Sequence, residues 1–213
     1  MNANKKAFLV VLVGLLLIIA GIVWLTYHQL KGDPVQEEAV ILAAEEYVKE
    51  HFDEPMEVVG SLYDNADLYD EFQYAAKVEP ADDPQFQFLV FYHKESDSYQ
   101  DSYVAEVWED QLEKDLKPYL EEQFGEVLSL WIYYPKDIGY QLDIALDDIP
   151  HYSGQEGYPV VQISLNRKRE NKDEQKVNEL IDFMKNKLGV KHGNISVDFA
   201  SGWIKSRGIL KEF

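Results

Sequence analysis

The sequence predicts an α+β protein: an N-terminal transmembrane helix, then antiparallel-rich sheets packed by helices, in the order α-β-β-β-α-β-β-(loop)-β-α-β. Three observations predict it. Residues 7–25 are uncharged and almost wholly aliphatic. The rest of the chain mixes short runs rich in Val, Tyr and Phe with segments of helical period. These elements do not alternate as a parallel α/β fold requires, so helices packed on antiparallel sheet are the expected solution.

The run AFLVVLVGLLLIIAGIVWL is long enough, at ~1.5 Å per residue, to cross a hydrocarbon core of ~30 Å. Trp24 and Tyr27 close it, where aromatic rings favour the membrane interface. A cleaved signal peptide is the rival reading, but the core is long and TYHQLKGD offers no small-x-small site. Lys5 and Lys6 precede the run, and only Lys31 follows closely. The positive-inside rule then puts the N-terminus in the cytoplasm and the rest outside. The expected arrangement is a single-pass cell-membrane protein, with residues 7–27 meeting the membrane. Residues 1–30 form the flank and anchor, 31–146 an acidic α+β domain, and 147–213 a loop and β-α-β part packed on it.

Asp33-Pro34 reads as a helix start, with Asp as cap and Pro at the first helical position. Ile41, Ala44, Tyr47 and Val48 share one face through His51. Met56–Tyr63, Phe72–Val78 and Phe86–Tyr92 read as strands. In Tyr103–Phe124 the residues Val104, Trp108, Leu112, Leu116 and Leu120 recur every four positions, which predicts a helix that Pro118 kinks or interrupts. Val127–Tyr134 reads as a buried central strand, with large residues on both faces, and Tyr140–Leu146 as its hairpin neighbour. Asp147–Pro159 is the linker or long-loop candidate. A strand at Val160–Asn166, a helix at Glu174–Leu188 and a strand at Ile195–Ala200 follow.

A helix ending in KEHF, three strands, and then DSYVAEVWEDQLEKDLKPYLEEQFG make up a recognisable pattern. Behind a single anchor, it resembles uncharacterised single-pass membrane-anchored proteins of Bacillus-type bacteria. More loosely it is similar to small α+β modules of the PepSY or cystatin-like type. The likeness spans Val35 to Tyr134 and rests on the Tyr103 to Trp108 spacing and the Pro-containing helix. It implies no catalytic or binding residue.

Charge narrows the function classes. From Asp33 to Gly157 there are 32 Asp+Glu against 6 Lys; from Tyr158 to Phe213 there are 7 Asp+Glu against 11 Lys+Arg. The acidic part repels nucleic acid, so no nucleic-acid partner is expected. The basic tail portion is expected to lie against the acidic part through Arg167, Lys168 and Arg169. With no cysteine, disulfides, thiolate metal sites and a thiol nucleophile are excluded together.

Motifs for chemistry are few. GxSxG, SxxK, HExxH, Walker and Rossmann patterns are missing. Glu95, Asp97, Asp101 and Glu106 partly echo a calcium loop, but Gln100 stands where the sharp turn needs Gly; a loop leading into a capped helix is the plainer reading. Asp64, Asp67, Asp70 and Glu71 cluster without metal spacing. Trp108, Trp131, Tyr133 and Tyr134 offer either a ligand platform or core. No cofactor is expected. The leading expectation is a non-enzymatic binding or interaction module whose partner is an envelope protein or peptide. The alternative is an envelope hydrolase using carboxylates from separated segments.

Overall fold

The computed structural model describes residues 31–201 and 204–213. The expected transmembrane helix lies outside them, and no helix among the described residues is long and apolar enough to cross a membrane. The fold is α+β, two four-stranded sheets with packed helices.

Helix α1 (Pro34–His51) starts as its sequence dictates: the Asp33 side chain accepts the Val35 N–H at 2.9 Å. Its buried face is Val40, Ala44, Tyr47 and Val48. These residues pack on Ala76, Val78, Phe88 and Val90 of the first sheet. That sheet is an antiparallel meander of β1 (Met56–Tyr63), β2 (Tyr74–Pro80), β3 (Phe88–His93) and β4 (Ser98–Asp101). Its other face carries Ala75, Leu89 and Phe91, covered by Phe72 from the β1–β2 loop.

Helix α2 (Tyr103–Phe124) carries the main core. Trp108, Leu112, Leu116 and Leu120 are fully buried against the second sheet and helix α4 (Asp173–Asn186). The expected interruption at Pro118 does not occur; α2 runs through it. Proline costs the helix one N–H bond, but Pro118 is exposed and the apolar stripe on either side holds the helix together. Gly125, at φ +83°, ends it.

The second sheet contains β5 (Val127–Tyr133), β6 (Val160–Leu165), β7 (Asn194–Ser201) and β8 (Ile204–Glu212), in that order. β5–β6 and β7–β8 are antiparallel; β6 and β7 are parallel, joined over the core by α4. One sheet face is apolar (Val161, Ile163, Ile195, Val197), and the other is polar (Gln162, Ser164, Ser196, Asp198).

Several expectations are corrected. β5 is an edge strand rather than a central one, and Trp131 is 48% exposed. Tyr140–Leu146 is not a strand. A short helix α3 (Ile138–Gln141) and successive turns occupy this stretch, and Ile144 N–H donates to the Gly139 carbonyl at 2.8 Å. β4 and β8 were not anticipated. The first sheet ends at Asp101 and the second begins at Val127, with α2 between them. The Asp147–Pro159 segment, by contrast, is the long loop that the sequence suggested, packed on the core. Its Pro150 carbonyl accepts the Trp108 indole N–H at 2.8 Å, and a Cβ on Gly157 would lie 2.7 Å from the Tyr134 ring.

The basic portion does lie against the acidic part, with Lys191 paired to Glu156 and the Lys176 ammonium donating to the Gln123 carbonyl, but Arg167 and Arg169 do not pair with acids of that part as expected. Arg167 makes a two-pronged contact with Asp173, at 2.6 and 2.8 Å, and Arg169 pairs with Glu174 at 2.7 Å. Both partners lie in the C-terminal portion itself, close by in sequence. Asp173 is fully buried. Burial pushes its carboxyl up, but the Arg167 hydrogen bonds and charge outweigh this and hold it below the usual carboxylate value. A depressed carboxyl contributes stability above the unfolded pKa of ~3.9, and that stability is lost as pH falls through the folded value. Arg167→Ala should therefore cost about 3–5 kcal/mol at neutral pH, the usual effect of stranding a buried charge. The deficit should shrink in acid, where Asp173 is protonated. Urea unfolding at pH 7 and in acid checks this; an equal deficit at both would refute the assignment.

Candidate functional site

A cleft of about 740 Å³ opens where the two sheets meet. Its walls come from the β1–β2 loop, the β3–β4 turn, the end of β5 and helix α3. The loop is shaped by Asp64, which is buried. Its carboxylate accepts the Ala66 N–H at 3.2 Å and the Tyr69 N–H at 2.8 Å, so the chain curls round one side chain. This places Asp67 and Asp70 on the rim and turns Tyr69 onto Phe72, ring centroids 4.7 Å apart. Phe72 in turn meets Phe91 of β3 at 4.7 Å. From the opposite side Tyr133 approaches Tyr69 at 6.3 Å, and Trp131, two residues back on the same strand face, stacks on Tyr133 at 5.5 Å. The cleft floor is therefore aromatic and its rim acidic.

Glu71 spans the cleft. Its carboxylate accepts the Tyr133 hydroxyl at 3.1 Å and the Lys136 N–H at 2.8 Å. Behind this contact the Lys136 ammonium is buried and donates to Glu106 at 2.8 Å and Glu109 at 2.9 Å. Glu109 also accepts the Tyr134 N–H at 2.8 Å. Burial alone would lower the Lys136 ammonium, but the charges and hydrogen bonds of Glu109 and Glu106 outweigh it and hold it up. One cation offsets one carboxylate. Burial, with the Glu106 charge adding to it and Lys136 opposing, pushes Glu109 up to about 8.

A second polar knot joins the first sheet to α3. Buried Asp101 accepts the Tyr47 hydroxyl at 2.5 Å and the Tyr140 hydroxyl at 3.3 Å. The two tyrosines also touch. Burial raises Asp101, against the hydrogen bonds from Tyr47, the Tyr103 N–H and Tyr140.

The four residues suggested by the calcium-like spacing do not converge. Glu95 lines the cleft, and Asp97 accepts the Tyr92 hydroxyl in the β3–β4 turn. Asp101 is buried under Tyr47, and Glu106 pairs with Lys136. Among the described residues no group of acids and histidines is placed to hold a metal ion. Asp67, Asp70 and Glu71 do come together on the cleft, while Asp64 supports them from below. Of the aromatic platform, Trp131 and Tyr133 face outward, whereas Trp108 and Tyr134 are core. Lys136 was missed by sequence reasoning, although it is the only lysine or arginine between Lys117 and Arg167.

Nucleophile chemistry finds little here. His93 Nδ1 lies 2.9 Å from Ser96 Oγ, a contact within one turn. His93 Nε2 is 3.9 Å from Asp137, beyond hydrogen-bond reach. The three do not form a relay.

Fold and site together define an acidic α+β protein with an inter-sheet cleft. No family model matches the chain, and no curated protein does. Among solved structures it is similar to a DUF5037 family protein from Ruminococcus gnavus ATCC 29149, at a TM-score of 0.34 and 17% identity over 76% of this chain and 75% of that one. A likeness of that size carries no functional argument.

The Lys136 cluster makes a pH prediction. A carboxyl raised in the fold contributes most below its unfolded pKa, here 4.5, and that contribution is lost as pH rises to about 8. Wild-type stability should fall across this window, by an amount on the order of 3 kcal/mol. Glu109→Gln keeps the Tyr134 N–H acceptor and should flatten the fall. Chemical denaturation at pH 5 and 8 measures both slopes; parallel slopes would mean that Glu109 titrates normally.

Proposed function

We propose that the chain is a non-enzymatic binding module, held outside the cytoplasm by a single-pass anchor at residues 7–27. Its cleft between the two sheets takes an envelope protein or peptide. One observation carries this reading: acids and aromatic rings from four separate segments line one opening of about 740 Å³. A hydrolase using carboxylates from separated segments is the weaker alternative. Such an enzyme needs a pair of acids free to act on substrate. Glu71 is already engaged by Tyr133 and Lys136, and Glu109 sits behind Lys136, outside the cleft lining, which leaves such an enzyme only the solvent-exposed rim acids Asp67, Asp70 and Glu95 to work with.

Leu68, at the tip of the cleft loop, is 74% exposed. A photo-cross-linking residue placed there in the full-length chain, in its native membrane, should give one discrete adduct. The same probe at Leu210, on the far edge strand β8, should not. Equal labelling from both positions, or none from Leu68, would remove the cleft as a binding site. The anchor has its own test. Protease added to intact protoplasts should digest everything beyond roughly the first 30 residues, the length of span plus flank. Protection until lysis would reverse the orientation.

A further inference from the structure

We infer that the occupant of this cleft is a basic peptide segment, extended and carrying several lysines or arginines; the inference rests on the binding reading above. Three features of the cleft point the same way. The first is uncompensated charge. Glu71 has partners within the fold, but Asp67, Asp70 and Glu95 on the rim have no hydrogen bond or ion pair with any described residue. Like charges held round one opening repel, and a cation entering between them relieves that repulsion.

The second feature is the floor. Tyr69 and Tyr133 line the same hollow as those carboxylates, and an aromatic ring attracts a cation. The protein already uses Tyr133 this way: the Lys136 ammonium lies 5.2 Å from its ring centroid. Acids and aromatic rings lining one hollow match a lysine or arginine side chain, whose apolar stem packs while its charged end is paired.

The third is length. A second hollow of about 450 Å³ runs on from the first, sharing Gln73 and Lys94 and reaching the start of α1 past Tyr74, Tyr92 and Tyr99. The two hollows adjoin at these shared residues, an arrangement suited to an extended chain rather than to a single small ion. Lys94 is exposed and, among the described residues, is the only lysine or arginine lining either hollow. It stands at their junction, where it opposes a basic occupant. Removing it should therefore improve binding, an effect that an unspecific hydrophobic groove would not show.

The test uses the full-length chain in a non-ionic detergent, with fluorescent hexalysine and hexaarginine, and hexaglutamine, hexaglutamate and a tetramer of N-acetylglucosamine as controls. Anisotropy is read at about 50 and about 500 mM NaCl. The basic peptides should bind, and binding should weaken by about tenfold or more at the higher salt. Asp67→Asn with Asp70→Asn should weaken it about tenfold, and Lys94→Glu should tighten it by about threefold or more. Asp182→Asn, on the exposed side of α4, should change nothing. Three results would overturn the inference: hexalysine binding that ignores the Asp67, Asp70 and Lys94 changes, no binding at all, or preference for the sugar tetramer. If hexalysine fails while the Leu68 adduct still forms, the charge of the occupant is wrong and the cleft reading stands. If the adduct also disappears, both fall.

Discussion

An ammonium group removed from water has to find its counter-charges within the protein, and Lys136 finds them in α2. Much of the architecture depends on that requirement. Glu106 and Glu109 lie one turn of helix apart on a face of α2 that leads away from the core stripe. Lys136 sits just beyond β5, after Pro135. Pinning it to α2 sets where the second sheet's edge strand ends and where the short helix α3 begins. The same residue's backbone N–H is taken by Glu71 from the β1–β2 loop. One lysine therefore fixes the mutual position of α2, β5 and the cleft loop. The surplus negative charge of the pair becomes a titratable property of the joint between the sheets.

The two polar knots at this joint differ from the cores on either side of it. The cores are held by burial, which is non-directional and indifferent to modest shifts. The joint is held by named hydrogen bonds: Glu71 to Tyr133, and Asp101 to Tyr47 and Tyr140. Such contacts fix orientation more than they add stability, and they are sensitive to the loss of either partner. A cleft bounded by contacts of this kind keeps a defined shape although its walls come from separate hydrophobic cores.

Much of this fold was legible in the sequence where period and burial coincide. The four-residue stripe of α2, the Asp33-Pro34 start of α1 and the β6-α4-β7 unit have local signals that the tertiary structure obeys. The failures are equally physical. SYQD is a strand only because β3 offers it a ladder; four polar residues carry no pattern of their own. Leu142, Ile144 and Leu146 alternate like a strand, but successive turns point them at the core. Trp131 and Tyr133 made β5 look buried on both sides, because a ring stack at a cleft and a ring stack in a core have the same sequence signature. Of the site, the acids of the β1–β2 loop were visible as a cluster. Their relation to Tyr133 and Lys136, more than 60 positions later in the chain, was not.

The entry of the chain into the fold has a mechanical side. Asp33 caps α1 with its side chain, while its backbone N–H donates to the Tyr74 hydroxyl at 3.0 Å. Tyr74 stacks on Tyr63, its partner at the end of the β1–β2 ladder, at 4.9 Å. Tension arriving from residues before Lys31 would thus reach a helix cap and a strand terminus together. It would be shared between the long packed flank of α1 and two stacked rings, and the middle of the ladder would carry little of it. Under the proposed anchor, pull on the chain would be taken up at Asp33 and Tyr74 before it reached the walls of the larger cleft.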